Sequence, residues 1–351
     1  ASYGEAGNNN IPTGQTFQAF ESRSTTWINN VVSFWGPYNT MANPDLKWET
    51  TITRNVGLDF GILSNRITGT IELYKNNTKD LLILFPTPGT GYANQYRNMG
   101  ETENKGLELS LNYAVIDEEK YGLSIGANVS FNRNKVISLG VMDYVRGTSN
   151  WASTQIPYDF EVTPGQPLGN MVGFISDGRY EVSDFEGYDA GTERWILKGG
   201  VADASGHVGF GNNSIAPGMM KLKDISGPEG VPDGIINQFD MTVIGSSQPK
   251  HIGGFTVSGY AYGFDLTANF NWSYGNDIYN ANKIEFTTAT PNTQYRNLYS
   301  MMGDGSRWTN LDPESGQLVT DPETLAAMNA NTTMWSPYMS RFILSDWAIL
   351  T

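Results

Sequence analysis

The stretch KWETTITRNVGLDFGILSNRITGTIELYKNN, Lys47 to Asn77, carries a period of two. Alternate residues from Trp48 read Trp48, Thr50, Ile52, Arg54, Val56, Leu58, Phe60 and Ile62. The other parity reads Lys47, Glu49, Thr51, Thr53, Asn55, Gly57, Asp59 and Gly61. Successive side chains of a strand point to opposite faces, so one face is mostly apolar and the other wholly polar or glycine. A turn at Ser64-Asn65 follows. The alternation then resumes, with Ile67, Gly69, Ile71 and Leu73 against Thr68, Thr70, Glu72, Tyr74 and Asn76. Two such runs around a short polar turn predict a β-hairpin.

Two more pairs follow the same grammar. Leu107, Leu109, Leu111, Tyr113 and Val115 alternate with Glu108, Ser110, Asn112 and Ala114. After the turn Asp117-Glu118-Glu119-Lys120, Leu123, Ile125, Ala127, Val129 and Phe131 alternate with Ser124, Gly126, Asn128, Ser130 and Asn132. A third pair runs from Phe255 to Tyr260, turns through Ala261-Tyr262-Gly263, and returns as Phe264, Leu266, Ala268, Phe270 and Trp272. Its opposite face is Asp265, Thr267, Asn269 and Asn271.

Connections are short within pairs and long between them, roughly Thr78 to Glu103, Ile137 to Ile252, and Tyr274 onward. A compact soluble domain rarely holds structureless loops beyond about 12–15 residues. Strands of about 9–11 residues cross a bilayer when tilted. Short turns at one end and long loops at the other therefore predict an all-β fold. It is part of a large antiparallel transmembrane β-barrel with long extracellular loops, over residues 1–351, with 137–252 as a large extracellular insertion. The alternative is a soluble β-sandwich, whose strands also alternate. A sandwich face toward water favours Lys and Glu, whereas these second faces carry Asn, Ser, Thr, Gly and a few carboxylates, which suits a crowded polar lumen. The barrel reading predicts lipid contact at Val56, Leu58, Phe60, Ile71, Leu73, Leu109, Leu111, Ile125 and Val129. It predicts lumen contact at Asn55, Asp59, Glu72, Tyr74, Glu108, Asn112, Asn128, Asp265 and Asn269.

Composition narrows the function. The 351 residues include no Cys, which removes disulfides, Cys-zinc sites and thiol nucleophiles. Two histidines, His207 and His251, leave no multi-His metal site within the chain. With 36 acidic against 22 basic residues, the net charge of -14 argues against nucleic-acid binding. There is no run of 18 apolar residues to make a transmembrane helix. Thirty-nine glycines and 12% aromatics suit many short strands and wide loops. Neither terminus reads as a natural chain end, so the sequence is expected to be a section of a longer protein.

Four cations share the apolar parity. If the first hairpin is symmetric about Leu63-Ser64, Arg54 lies level with Leu73, one step below Lys75. Lys105 and Arg133 sit just beyond the apolar band of the second pair. A lipid-facing cation costs about 2–4 kcal/mol at the bilayer midplane and about 0–1 near the interface. All four are therefore expected at the outer rim, where lipopolysaccharide phosphates could pair with them. Ordinary snorkelling of strand-end cations is the alternative.

Several segments together resemble the SusC/RagA family of TonB-dependent outer-membrane transporters. They are ASYGEAGNNNI (Ala1–Ile11), NPDLKWET (Asn43–Thr50), NVGLDFGILSNRITGTIELYKNNTKDLL (Asn55–Leu82), NMGETENKGLELSLN (Asn98–Asn112) and NVSFNRNKV (Asn128–Val136). PGQPLGNMVGFISDGRY (Pro164–Tyr180), DGIINQFDMTVIGSSQPK (Asp233–Lys250) and YGFDLTANFNWSYGNDIYN (Tyr262–Asn280) continue the likeness in order. By that resemblance the chain is an internal barrel section of about six complete strands, without the plug, TonB-interacting segment and closing strands of the family. Such a section is not expected to close a barrel alone, since its edge strands would be unpaired in lipid. The resemblance implies import of oligosaccharides or peptides, a SusD-like surface lipoprotein as partner, the TonB complex as energy source, and the bacterial outer membrane as location. It implies no enzyme activity and no required cofactor.

Candidate sites lie in the long loops. Trp151, Trp195, Trp308 and Trp335 could stack on sugar rings, or else stabilise loop packing or contact a lid partner. Trp27, Trp35 and Trp347 share those loops. Trp48, Tyr113, Phe131, Trp272 and Tyr274 are candidates for interfacial aromatic girdles. DISGPEGVPDGIINQFD, Asp224–Asp240, partly matches a calcium loop, with Asp224, Asp233, the Ile235 carbonyl, Asn237 and Asp240 as ligands. An Asp-Gly turn with a structural Asp240 is the other reading. Carboxylate pairs such as Glu118-Glu119 raise glycoside hydrolysis as a third possibility, yet chance pairs are expected among so many acids. The two-faced reading has a direct test. Leu58→Arg is expected to impair membrane assembly, with a penalty of about 2–4 kcal/mol at mid-bilayer, while Asn55→Arg is tolerated. Heat-modifiable gel mobility of the membrane fraction measures both, and equal tolerance counts against the face assignment.

Overall fold

A computed structural model describes residues 1–24, 33–148, 158–205, 215–287 and 297–337. It divides into two units. The first comprises Ala1–Val145, Val162–Leu168 and Gln248–Gly275, the second Arg146–Glu161, Gly169–Ser247 and Asn276–Thr351.

The first unit is dominated by one seven-stranded sheet. Its strands are β1 (Ser2–Asn8), β2 (Glu49–Ile62), β3 (Ile67–Lys79), β4 (Glu101–Asp117), β5 (Tyr121–Ser138), β6 (His251–Ala261) and β7 (Phe264–Tyr274). Each pairs antiparallel with its neighbour in this order, so the sheet is an up-and-down meander with β1 and β7 at its edges. The three hairpins read from the sequence are β2–β3, β4–β5 and β6–β7. The last turns through Tyr262-Gly263, both with positive φ (50° and 92°), the type I′ pattern that matches strand twist.

The first hairpin corrects the expected register. Its loop is four residues long, with Leu63, Ser64 and Asn65 at φ of 54°, 56° and 64°, and Ile62 pairs with Ile67. The symmetry point is Ser64-Asn65, and Arg54 faces Lys75 rather than Leu73. Arg66 helps to hold this loop against β4. Its guanidinium donates to the carbonyls of Ala114 (3.3 Å) and Val115 (2.8 Å), beside a register shift in the β4–β5 ladder. That shift skips Val115, whose carbonyl would otherwise lose its ladder partner.

Pairing carries the two faces across the whole sheet. One row runs Leu58, Ile71, Leu109, Val129; another runs Phe60, Gly69, Leu111, Ala127, Phe255, Phe270. Among the described residues no second sheet covers this face. Val56 is 59%, Leu58 60% and Ile125 39% exposed. A soluble sandwich would bury them against a second sheet, so that alternative falls.

Glycine and aromatic residues sit directly opposite one another in four places. Phe60 faces Gly69, Tyr74 faces Gly106, Tyr260 faces Gly122 and Trp272 faces Gly253. In each case a Cβ on the glycine would lie 2.3–2.6 Å from the facing ring. The rings lie flat over backbone that has no side chain, filling a gap in the pleat. Tyr74 then reaches Asn132 Oδ1 at 3.0 Å, two strands away.

β4 and β5 run 17 and 18 residues, well beyond the about 9–11 that a bilayer crossing takes. The excess of β5 is bound by the segment Val162–Leu168. Val136 N–H donates to Gln166 O (2.9 Å), Gly165 N–H to Val136 O (2.7 Å), and Leu168 N–H to Asn134 Oδ1 (2.9 Å).

The second unit packs a core of Phe174, Tyr180, Phe185, Ile215, Met219, Met220, Leu222, Ile236, Met302 and Trp335. Small two-stranded pairings frame it: Ser176–Arg179 with Met220–Leu222, and Phe185–Asp189 with Arg194–Leu197. The segment between β5 and β6 thus carries structure of its own. Among the described residues no helix is long and apolar enough to cross a membrane, which bears on helices alone.

The glycine–aromatic pairs predict a graded outcome. Gly106→Val must displace both Tyr74 and the Phe131 carbonyl, 2.5 and 2.6 Å from a Cβ there, and is expected to cost about 1–3 kcal/mol. Gly4→Val, with nothing within 4 Å, is expected to be near neutral. Thermal loss of the folded band in detergent compares them.

Candidate functional site

The polar face of the sheet is the first candidate surface. Register places all nine residues expected to line a lumen on it. Asn55 pairs with Tyr74, Asp59 with Thr70, Glu72 with Glu108 and Asn112 with Thr68. Asn128 pairs with Ser110, Asn269 with Thr256 and Asp265 with Tyr260. The side chains hydrogen-bond across strands. Asn55 Nδ2 donates to Glu72 Oε2 (3.3 Å), Ser130 Oγ to Glu108 Oε1 (3.3 Å) and Thr256 Oγ1 to Asn269 Oδ1 (2.8 Å); Thr70 and Ser110 hydroxyls share a bond of 2.7 Å. A cavity of about 590 Å³ opens on this face, lined in part by Thr68, Asn112, Ser124, Asn128, Thr256 and Ser258. It offers hydroxyls, amides and backbone, and no charge of either sign apart from Arg66 at its margin. Such a lining hydrogen-bonds neutral polar groups and is without any acid–base pair.

The opposite face ends, toward the long connections, in a charged and aromatic border. Phe131, His251, Tyr274 and Trp272 cluster there. His251 stacks on Tyr274 (5.0 Å, 21°), lies 5.6 Å from Phe131, and accepts a bond on Nδ1 from Trp272 Nε1 at 3.0 Å. Tyr113 lies at the other end, near the short turns, and is 37% exposed. Trp48 is exposed and packs on Gly7.

The tryptophans proposed for sugar stacking divide. Trp308 and Trp335 are 2% and 9% exposed, inside the second unit. Trp308 lies against Gly218, whose φ is +87° and whose missing Cβ would fall 2.1 Å from the indole. The Arg179 guanidinium covers the ring at 4.6 Å and donates to Thr332 Oγ1, Thr332 O and Met334 O at 2.8–2.9 Å. Neither ring presents a free face, so both are corrected to packing residues: burying an indole stabilises more than exposing it. Trp195 is half-buried, edge-on to Phe185 (5.6 Å) and Tyr188 (5.7 Å). Trp27, Trp151 and Trp347 lie outside the described residues, as does His207. Trp35 is 73% exposed.

Most oxygens of the expected calcium ligands in the Asp224–Asp240 loop bond within the loop, the buried Asp224 Oδ1 being the exception. Asp240 is fully buried; Oδ1 accepts from the amides of Ile225 (2.8 Å) and Ser226 (3.2 Å), and Oδ2 from Asn237 N–H (2.8 Å). Asn237 Oδ1 accepts from Phe239 N–H and its Nδ2 donates to the Ile235 carbonyl. Asp233 Oδ1 accepts from Ile235 N–H, and Asp224 Oδ2 from Gly234 N–H. Among the described residues no group of three or more His, Cys, Asp or Glu converges as a metal site. The geometry is that of an Asp-Gly turn, Gly234 having φ +83°, closed over a structural carboxylate. Sequence reasoning missed Arg179, whose role depends on residues some 150 positions later.

Asp240→Ala is expected to leave three amides unmet and to cost about 2–4 kcal/mol. Asp233→Asn, with one local bond, is expected to cost far less. Calcium or a chelator is expected to leave the melting of the second unit unmoved; a calcium-dependent rise would favour the calcium-loop reading instead.

The family description "TonB dependent receptor-like, beta-barrel" matches residues 1–226. TonB-dependent receptor P3 of Formosa agariphila is 29% identical over 303 residues, covering 84% of this chain and 27% of the relative. TonB-dependent receptor SusC of Bacteroides thetaiotaomicron is 41% identical over 99 residues, 28% of this chain and 10% of the relative. The solved structure of the RagAB peptide transporter superposes over 91% of this chain and 30% of that one, with TM-score 0.63 and 21% identity. The chain therefore spans under a third of the length of these relatives. Its meander, with one bare apolar face and one polar face, is a section of their barrel wall, and the chain belongs to the TonB-dependent receptor β-barrel family, of SusC/RagA type.

Proposed function

We propose that this section forms part of the wall of a TonB-dependent importer in the bacterial outer membrane, which takes up oligosaccharides or peptides under a SusD-like lipoprotein lid. The reading rests on one observation, the continuous polar face running across seven strands behind a bare apolar one. The apolar rows face acyl chains. Asn55, Asp59, Glu72, Tyr74, Glu108, Asn112, Asn128, Asp265 and Asn269 face the lumen, where amides, a phenol and carboxylates meet solute and the rest of the receptor. A solved peptide transporter of the same fold is consistent with the peptide class, and the oligosaccharide class follows from the likeness to the SusC/RagA family alone. The polar lining suits both, because neutral amides and hydroxyls bond peptide groups and sugar hydroxyls alike. Among the described residues the cavity lining holds no acid–base pair, which fits a receptor that moves its solute unchanged.

Uptake in cells with the receptor deleted and restored tests the proposal. Labelled oligosaccharide and peptide mixtures are offered with and without a protonophore. One class is expected to be lost on deletion and on uncoupling, and the receptor to co-purify with a surface lipoprotein. Uptake insensitive to both treatments, or a receptor that stays monodisperse in plain buffer without detergent, would overturn it.

A further inference from the structure

The corrected register of the first hairpin lines up four cations that the sequence placed apart. Arg54 pairs with Lys75, Lys75 with Lys105, and Lys105 with Arg133, in one unbroken row across β2, β3, β4 and β5. All four share the face of Val56, Leu73, Leu107 and Phe131, which form the next row toward the short turns. Like charges directly opposite in a sheet repel. A row of four therefore calls for anionic charge. Among the described residues one carboxylate answers by ion pairing: Glu103, 2.7 Å from Lys75 Nζ and 3.9 Å from Lys105 Nζ. It is itself flanked by Lys135, its partner on β5. The two arginines turn to neutral acceptors. Arg54 donates to Asn77 Oδ1 (3.3 Å) and lies 5.9 Å over the Tyr3 ring; Arg133 donates to the carbonyls of Asn132 and Lys250 at 2.8 and 2.9 Å. The lysine side chains stay half to two-thirds exposed, at 50% and 63%.

We propose that this row is a binding site for the phosphate groups of a phosphorylated outer-leaflet lipid. Its acyl chains run down the bare rows headed by Val56, Leu73 and Leu107. Charge and polarity both fit that occupant. Four cations against one carboxylate leave a surplus of positive charge, and phosphate bonds lysine and arginine by charge-assisted hydrogen bonds. Adjacent strands lie about 4.8 Å apart, so the row is about 14 Å wide, enough for a headgroup with more than one phosphate. Below it the surface is apolar without interruption, and beside it Phe131, His251, Trp272 and Tyr274 supply the amphipathic rings of an interfacial belt. A soluble anion would gain nothing from that apolar continuation. The inference rests on the outward-face reading above.

The test uses the full-length receptor in neutral detergent, titrated with diphosphoryl lipid A, its fully dephosphorylated counterpart and inorganic phosphate, with bound lipid counted by native mass spectrometry. The parent is expected to retain the diphosphoryl form selectively, and excess inorganic phosphate not to displace it. Lys75→Ala with Lys105→Ala is expected to weaken retention by roughly tenfold or more, and Lys75→Arg with Lys105→Arg to preserve it. Equal retention of the phosphorylated and dephosphorylated lipids, or an unaffected alanine pair, overturns the site. Displacement by inorganic phosphate alone overturns the lipid as its occupant. Nitroxide labels at Val56 and Leu109 separate the two levels. Labels quenched by water-soluble reagents alone sink the outward-face reading itself; labels reached by lipid-soluble reagents, beside a silent alanine pair, sink the phosphate site alone.

Discussion

A backbone amide in hydrocarbon has no water to bond, and an isolated strand cannot meet its own needs. Everything in the first unit follows from satisfying that demand between strands. The meander pairs each strand with its sequence neighbour, so the chain never has to carry an unpaired strand through a long excursion. Where the ladder falters at Val115, the Arg66 guanidinium takes up the stray carbonyl. Once the ladder is fixed, the period-two geometry sends every second side chain outward. The apolar and polar faces are then consequences of pairing and not separate achievements.

The same ladder also forces neighbours that isolated side chains would avoid. It stacks Arg54, Lys75, Lys105 and Arg133 side by side, and sets Glu72 against Glu108 on the other face. Salt screens such contacts where they are exposed, but pairing keeps the side chains adjacent whatever the solvent. The second unit solves its polar problem differently. Its Asp240 and Arg179 each take three or more partners from one loop or strand crossing, leaving little to offer outside.

Much of the sheet was legible in the residues. Alternation alone marks β2 to β7, because lipid on one side and polar contents on the other impose a strict period. What the sequence could not fix was register. The loop centres on Ser64-Asn65, held by three left-handed residues, and not on Leu63-Ser64, which moves Arg54 from Leu73 to Lys75. The loops were less readable still. Trp308 and Trp335 carry the same side chain that stacks on sugars, and only tertiary packing against Gly218 and Arg179 shows that they are core. Asp233-Gly234 and Asp240 match half a calcium pattern because tight turns and metal loops use the same residues. The abundance of glycine and aromatics, which suits many short strands and wide loops, is partly explained by rings lying on bare backbone within strands.

The length of β4 and β5 has a further meaning. Some seven or eight residues of each exceed a bilayer crossing, about 25 Å of extra ladder along its tilt. The Val162–Leu168 segment braces that excess. In this sector the wall stands above the lipid like a parapet. Its outermost residues, Glu101 to Glu103 against Lys135 to Ser138, are held by the ladder itself, so the height of this rim is set by strand pairing.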